Sequence, residues 1–256
     1  MMSLETDLQV AMRLADMADP ISLAHFQSDG LLVATKTDGS FVSQADREIE
    51  RAMRRHLASV RPLDAVLGEE YGAGDVVSTR RWILDPIDGT TRFVRGIPLF
   101  ASLIALEQEG EPVLGVVSAP ALKRRWWAAR GLGAFADGRS IHVSSISSLE
   151  KAHVSLGNPG NWVESGMYER LGPLARHAGS TTGYGDFWPH VLVAEGAADA
   201  AIEPSAALWD LAPLKVIVEE AGGRFTDFAG VSTAGGGTAL ASNGLMHDEL
   251  LRLLRS

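Results

Sequence analysis

Residues 82–91 read Trp-Ile-Leu-Asp-Pro-Ile-Asp-Gly-Thr-Thr. The apolar run Trp82-Ile83-Leu84 is expected to end a buried strand. Pro86 and Gly89 then close a tight turn that crowds Asp85 and Asp88 into one corner. Two carboxylates that close raise each other's pKa or push the chain open unless a cation sits between them, and carboxylates suit hard ions such as Mg²⁺. Gly89-Thr90-Thr91 reads as a helix start, where backbone N–H groups favour a phosphate. Acids adjoining an anion site point to metal-bridged phosphate chemistry. Taken alone, Asp-Pro-Ile-Asp-Gly is better read as an ordinary turn, because Asp, Pro and Gly are favoured there for local reasons.

The flanking sequence changes that balance. Gly68-Glu69-Glu70 precedes the stretch, and Trp209-Asp210 and Glu220-Ala221-Gly222-Gly223 follow it. With these motifs in order, between Lys36 and Gly223, the chain resembles the inositol monophosphatase-like family of Mg²⁺-dependent phosphatases, and ordered motifs are far more specific than one short match. The resemblance implies an α/β (α+β) fold, the layered αβαβα sandwich of the sugar phosphatases. It implies one phosphatase domain over residues 1–256, built as two intimate halves of about 1–140 and 141–256, and commonly a homodimer. It also implies a metal site of Glu69, Asp85, Asp88 and Asp210 with the backbone carbonyl of Ile87, holding two or three Mg²⁺. An all-oxygen set of this kind suits Mg²⁺ better than Zn²⁺.

By the same resemblance, Asp46 hydrogen-bonds Thr90, and the pair, together with Glu69, serves a metal-activated water. Asp88, Gly89 and Thr90 would hold the phosphate. Glu70 neighbours the ligand set, and Lys36 either approaches the site or is an exposed strand cation. Read without the resemblance, Asp46 is a first-turn helix acid and Asp210 a helix cap.

Composition narrows the field from the other side. The 256 residues are 46% hydrophobic with a net charge of −9, enough for one large core or two packed halves. The absence of Cys excludes disulfides, thiolate metal sites and cysteine nucleophiles. The start lacks a signal-peptide pattern, and no apolar run reaches the roughly 18 residues of a membrane span. A cytoplasmic protein without membrane or nucleic-acid partners is expected, since phosphate-backbone binding draws on clustered Lys and Arg.

Periodicity supplies the elements. A helix is expected over 3–18, broken or kinked at Asp19-Pro20, with a second piece to residue 27. A strand over 31–37 precedes a helix over 44–57, which opens on a Ser43–Asp46 capping box. A strand over 63–67 leads to the acidic loop. A hairpin pairs 100–106 with 112–118 through Glu109-Gly110, and a strand follows over 123–129. Trp126 and Trp127 must face opposite sides of that strand, one in the core and the other at an interface or the surface. The Ser-rich stretch 140–151 joins the halves. Beyond it are expected a strand over 152–156, helices over 162–177 and 187–196, a strand over 200–202, a helix over 208–221, and a closing strand (240–243) and helix (245–254).

Substrate choice must lie around the leaving group. Phe93-Val94-Arg95-Gly96-Ile97-Pro98, Gly183-Tyr184-Gly185-Asp186 and Glu203 resemble the histidinol-phosphate phosphatases of the family. That small-molecule ester carries an amine and an imidazole where inositol phosphate carries hydroxyls, so acidic neighbours would favour it. Asp186, Glu203 and Arg95 are the expected substrate contacts. Asp186 also reads as a helix cap, and the family's Glu at the position of Glu203 also serves inositol hydroxyls. His142 and His190 are expected to be structural. Inositol-1-monophosphatase or a broad sugar-phosphate phosphatase is the alternative, and a non-catalytic metal- or phosphate-binding protein is the second. Against the latter, every required motif residue is present.

Overall fold

The computed structural model describes residues 3–36, 39 and 41–255. Thr37, at the end of the expected strand 31–37, lies outside them. The larger sheet has eight strands in the order β10-β9-β8-β7-β6-β5-β3-β4. These are β3 (Ala65–Gly68), β4 (Gly72–Ala73), β5 (Arg80–Asp88), β6 (Ala101–Gln108), β7 (Glu111–Ala119), β8 (Arg124–Ala129), β9 (Gly133–Ala136) and β10 (Arg139–Ser140). Its central strands read as near-continuous apolar runs because both faces are covered. Along β5 and β6, Trp82, Leu84, Ile104 and Leu106 face α1 (Leu4–His25) and α2 (Gln44–Val60). Ile83, Leu103 and Ala105 face the other way, toward α6 (Phe187–Ala194) and α7 (Leu208–Glu220). The alternation is the two-residue period of a pleated strand.

The smaller sheet has the order β12-β11-β13-β15-β14, from β11 (His153–Ser155), β12 (Ser180–Thr182), β13 (Ala200–Glu203), β14 (Arg224–Thr226) and β15 (Ala239–Ser242). Ala201, Phe225 and Ala241 pack on the α6/α7 layer. Val154, Ile202 and Leu240 pack with Leu174 of α5 (Leu171–His177) and Leu250 of α8 (His247–Arg255) on the far side. Helices, large sheet, helices, small sheet, helices: the layers are αβαβα, as expected. No helix among the described residues is long and apolar enough to cross a membrane.

Several elements differ from the periodicity reading. The first helix runs unbroken through Pro20, since a proline there removes one hydrogen bond while the apolar face of the helix stays packed. The helix expected over 162–177 is two helices, α4 (Pro159–Glu164) and α5, separated by Gly166 at φ 71°. That left-handed conformation ends a helix and suits glycine. A short ladder pairs β1 (Val33–Thr35) with β2 (Phe41–Ser43), and β2 has no counterpart in the expected elements. Trp126 is fully buried, whereas Trp127 is half-buried and stacks on Phe135 at 4.1 Å.

Candidate active site

The corner at Asp85 and Asp88 is the end of β5 rather than a turn beyond it. Pairing with β6 is regular to Asp85 and shifts between Asp85 and Asp88. Pro86 has no N–H to give the ladder, and its carbonyl instead accepts the Ser102 hydroxyl at 2.6 Å. The irregularity brings both carboxylates to one place. Gly89 follows at φ 81°, and a Cβ there would lie 2.9 Å from the Leu99 carbonyl oxygen and 3.1 Å from Asp186 Oδ2. Glycine is required by conformation and by space. It opens α3 (Thr90–Val94).

The third acid arrives from the other side. Asp210 sits in the first turn of α7, where its Oδ2 accepts the Ala207 N–H at 2.7 Å. Asp85, Asp88 and Asp210 each offer an oxygen, and these atoms lie within 4.8 Å of one another. The Phe187 N–H holds Asp88 Oδ2 at 2.6 Å, while the buried Asp85 Oδ1 has no hydrogen-bond partner. Burial, with the charges of Glu69, Asp88 and Asp210, pushes Asp85 well above the usual carboxylate range. Burial and Asp210 do the same to Asp88, and burial raises Asp210 to about 7. At separations of 4.8 Å or less and an effective dielectric of about 20, any two of these groups, if both ionised, would repel by about 3 kcal/mol or more. An all-oxygen cluster with an orphaned buried oxygen fits a hard divalent cation, which would relieve that repulsion.

Glu69, whose side chain and charge act on Asp85, bonds Lys36 Nζ at 2.7 Å, as does Glu70. Lys36 is thus neither distant nor free. Burial works against its ammonium, but the bonds to the two glutamates outweigh burial and raise its pKa. The loop itself is fixed by Glu50, a residue the sequence reading passed over. Its carboxylate accepts the N–H groups of Glu70 at 2.8 Å and Tyr71 at 3.3 Å and binds Arg54 Nε at 2.7 Å. Its spacing, four residues after Asp46 on a helix with Asp46 and Ile49 buried, puts it on the inward face and was the available signal.

Asp46 and Thr90 come together as expected, with Thr90 Oγ1 3.3 Å from Asp46 Oδ1 and 2.9 Å from the Ile87 carbonyl oxygen. The capping box is also present: Asp46 Oδ2 accepts the Ser43 N–H at 2.8 Å and its hydroxyl at 2.5 Å. Burial nonetheless raises Asp46 to about 7.

Beside the triad lies a cavity of about 110 Å³, lined among others by Asp88, Asp186, His190, Glu203 and Asp210. Burial, reinforced by Asp210, raises Glu203 to about 8. Asp186 precedes α6 at φ 58° and makes no capping bond; it forms an ion pair with Arg92 of α3. Arg95, expected to touch substrate, is instead exposed at the end of α3 and does not line the cavity. With only five residues, α3 carries Arg92 inward and ends at Arg95. His142 is exposed, as a residue outside the site.

Residues 3–256 match the profile of the Inositol monophosphatase family, so the chain belongs to that family. It is 49% identical to a protein named histidinol-phosphatase from Mycobacterium tuberculosis, over 98% of each chain. It is 46% identical to one of the same name from Streptomyces coelicolor, over 97% of this chain and 96% of the relative. The solved structure of the extragenic suppressor protein suhB from Bartonella henselae superposes with a TM-score of 0.91 at 31% identity, covering 98% of this chain and 99% of that one.

Proposed function

We propose, with membership of the inositol monophosphatase family as the premise, that the chain is a Mg²⁺-dependent phosphatase that hydrolyses histidinol phosphate to histidinol and phosphate. The observation that carries the chemistry is the convergence of Asp85, Asp88 and Asp210 within 4.8 Å. The substrate reading is supported by relatives named histidinol-phosphatase at 46% and 49% identity and by the acids Asp186 and Glu203 beside the triad. We read the chain as one phosphatase domain with halves meeting near residue 140, place it in the cytoplasm from its sequence pattern, and take it as a homodimer from the resemblance.

Asp85, Asp88, Asp210, the Ile87 carbonyl and Glu69 would hold two or three Mg²⁺, with Glu69 exchanging its bond to Lys36 for the ion. Bound Mg²⁺ supplies charge neutralisation at the phosphate oxygens and a lowered pKa for water. The chain's own groups do the rest. Thr90 Oγ1, between Asp46 Oδ1 and the Ile87 carbonyl oxygen, orients the attacking water, and Asp46 takes its proton through Thr90. The N–H groups of Gly89 and Thr90 face the phosphate. Attack is in line and forms no phosphoenzyme.

At the leaving group, Glu203 is held near neutrality of charge by burial, and an incoming ammonium or imidazolium would stabilise its ionised form. A neutral polyol would not. The test is kcat/KM on histidinol phosphate and inositol 1-phosphate side by side. A strong preference for the former is expected; a preference for the latter would leave the chemistry and remove the substrate reading.

A further inference from the structure

Among the described residues two histidines are buried, and their surroundings are opposite. His247 is satisfied at both ring nitrogens, by Thr226 Oγ1 at 2.9 Å and Ser242 Oγ at 2.8 Å. That is how a histidine with a packing role is normally kept. His190 is 1% exposed, and neither of its ring nitrogens has a hydrogen-bond partner among the described residues. Its neighbour on the small-sheet side is the Phe225 ring, with centroids 6.1 Å apart. Leaving a buried polar group unsatisfied is destabilising, a cost that persists in a fold where a ligand relieves it.

Position tells which ligand. His190 lies one turn beyond Phe187, whose N–H binds Asp88, so both sit on one side of α6. His190 lines the same cavity as Asp88, Asp210 and Glu203, and Glu203 Oε1 is likewise buried without a hydrogen-bond partner. Burial lowers the His190 pKa to about 4, so the ring is neutral and has one nitrogen that can only accept. An accepting ring nitrogen and a carboxylate oxygen facing one small cavity complement a cationic group with several N–H donors.

We infer that His190 is a specificity-determining residue, whose unpartnered ring nitrogen accepts a hydrogen bond from the nitrogen-bearing end of the leaving group while Glu203 takes a second. The inference rests on the substrate reading above. It differs from the expectation that His190 is structural, and it names an accepting group that an inositol-type leaving group, with hydroxyls in place of cationic nitrogen, would use less well.

The experiment is steady-state hydrolysis of histidinol phosphate by wild type, His190→Leu and His190→Gln, with inhibition by inorganic phosphate measured in each. His190→Leu should raise KM about tenfold with kcat and phosphate inhibition unchanged, and His190→Gln should recover most of the loss. An unchanged KM in His190→Leu overturns the inference, as does a parallel loss in KM, kcat and phosphate inhibition with a lowered melting temperature. Should His190→Leu fail to fold, the imidazole ¹⁵N resonances of His190 in labelled wild type decide: they shift on saturation with L-histidinol, and an unmoved signal overturns the inference. Wild type that hydrolyses inositol 1-phosphate but not histidinol phosphate brings down the substrate reading and this inference with it. Wild type and His190→Leu that hydrolyse histidinol phosphate with the same KM bring down this inference alone.

Discussion

The backbone N–H of Phe187 donates to Asp88 Oδ2 at 2.6 Å, tying the first turn of α6 to the acid at the end of β5. That bond holds the Asp88 carboxylate within 4.8 Å of Asp85 and Asp210. Replacing Asp88 or Asp210 by Asn keeps the shape and one oxygen able to accept the Phe187 or Ala207 N–H but removes one charge from the triad. Asp88→Asn and Asp210→Asn are each expected to lower turnover about a hundredfold or more while keeping the native circular dichroism. In EDTA their melting temperatures should equal or exceed that of wild type, because repulsion is relieved. Near-wild-type turnover in a folded variant would count against the site.

Stability of the metal-free protein should fall as pH rises from about 6.5 to about 8. Asp46 and Asp210, at about 7, and Glu203, at about 8, hold protons in the folded state that the unfolded chain has already released near pH 4. The folded state therefore loses its advantage as pH passes through those values. His190 and His247, lowered to about 4, act in the opposite sense, but only below about 6.5. Thermal melts in EDTA across this window should decline, and saturating Mg²⁺ should reduce the decline by replacing the protons. A flat profile in EDTA would contradict the burial of these acids.

Glu50 is expected to act on metal affinity through the loop it holds. A Cβ at Gly68 would lie 2.0 Å from Glu50 Oε1, so Gly68→Ala must displace the carboxylate that binds the Glu70 and Tyr71 N–H groups. Gly68→Ala and Glu50→Gln should each weaken Mg²⁺ binding by about tenfold to a hundredfold, read by calorimetry. Turnover at saturating Mg²⁺ should change far less. An unaltered affinity in both variants would remove Glu50 from the account.

Much of this was legible because it is local. The capping box at Ser43 and Asp46, the hairpin at Glu109-Gly110, and the passage from apolar strand through Gly89 into a helix are each decided within a few residues. The continuation of β5 through Asp85 and Asp88 was not, since pairing with β6 outweighs the turn preference of Asp-Pro-Ile-Asp-Gly. Asp186 could be read as a cap from its place before α6, but its pairing with Arg92 joins positions 94 residues apart. Glu50 was passed over although its helical spacing from Asp46 places it on the buried face of α2, and His190 was read as structural because what it faces is set by the packing of α6 and not by its neighbours in sequence.

The central claim is that this acidic corner releases phosphate through a bound divalent cation. It is tested most directly by phosphate release from histidinol phosphate in Mg²⁺, in EDTA, and after Mg²⁺ is restored. Release in Mg²⁺, a loss of about a hundredfold or more in EDTA, and full recovery on restoration are the expected results. Undiminished release in EDTA, or none in Mg²⁺ from a folded protein given either histidinol phosphate or inositol 1-phosphate, would contradict it.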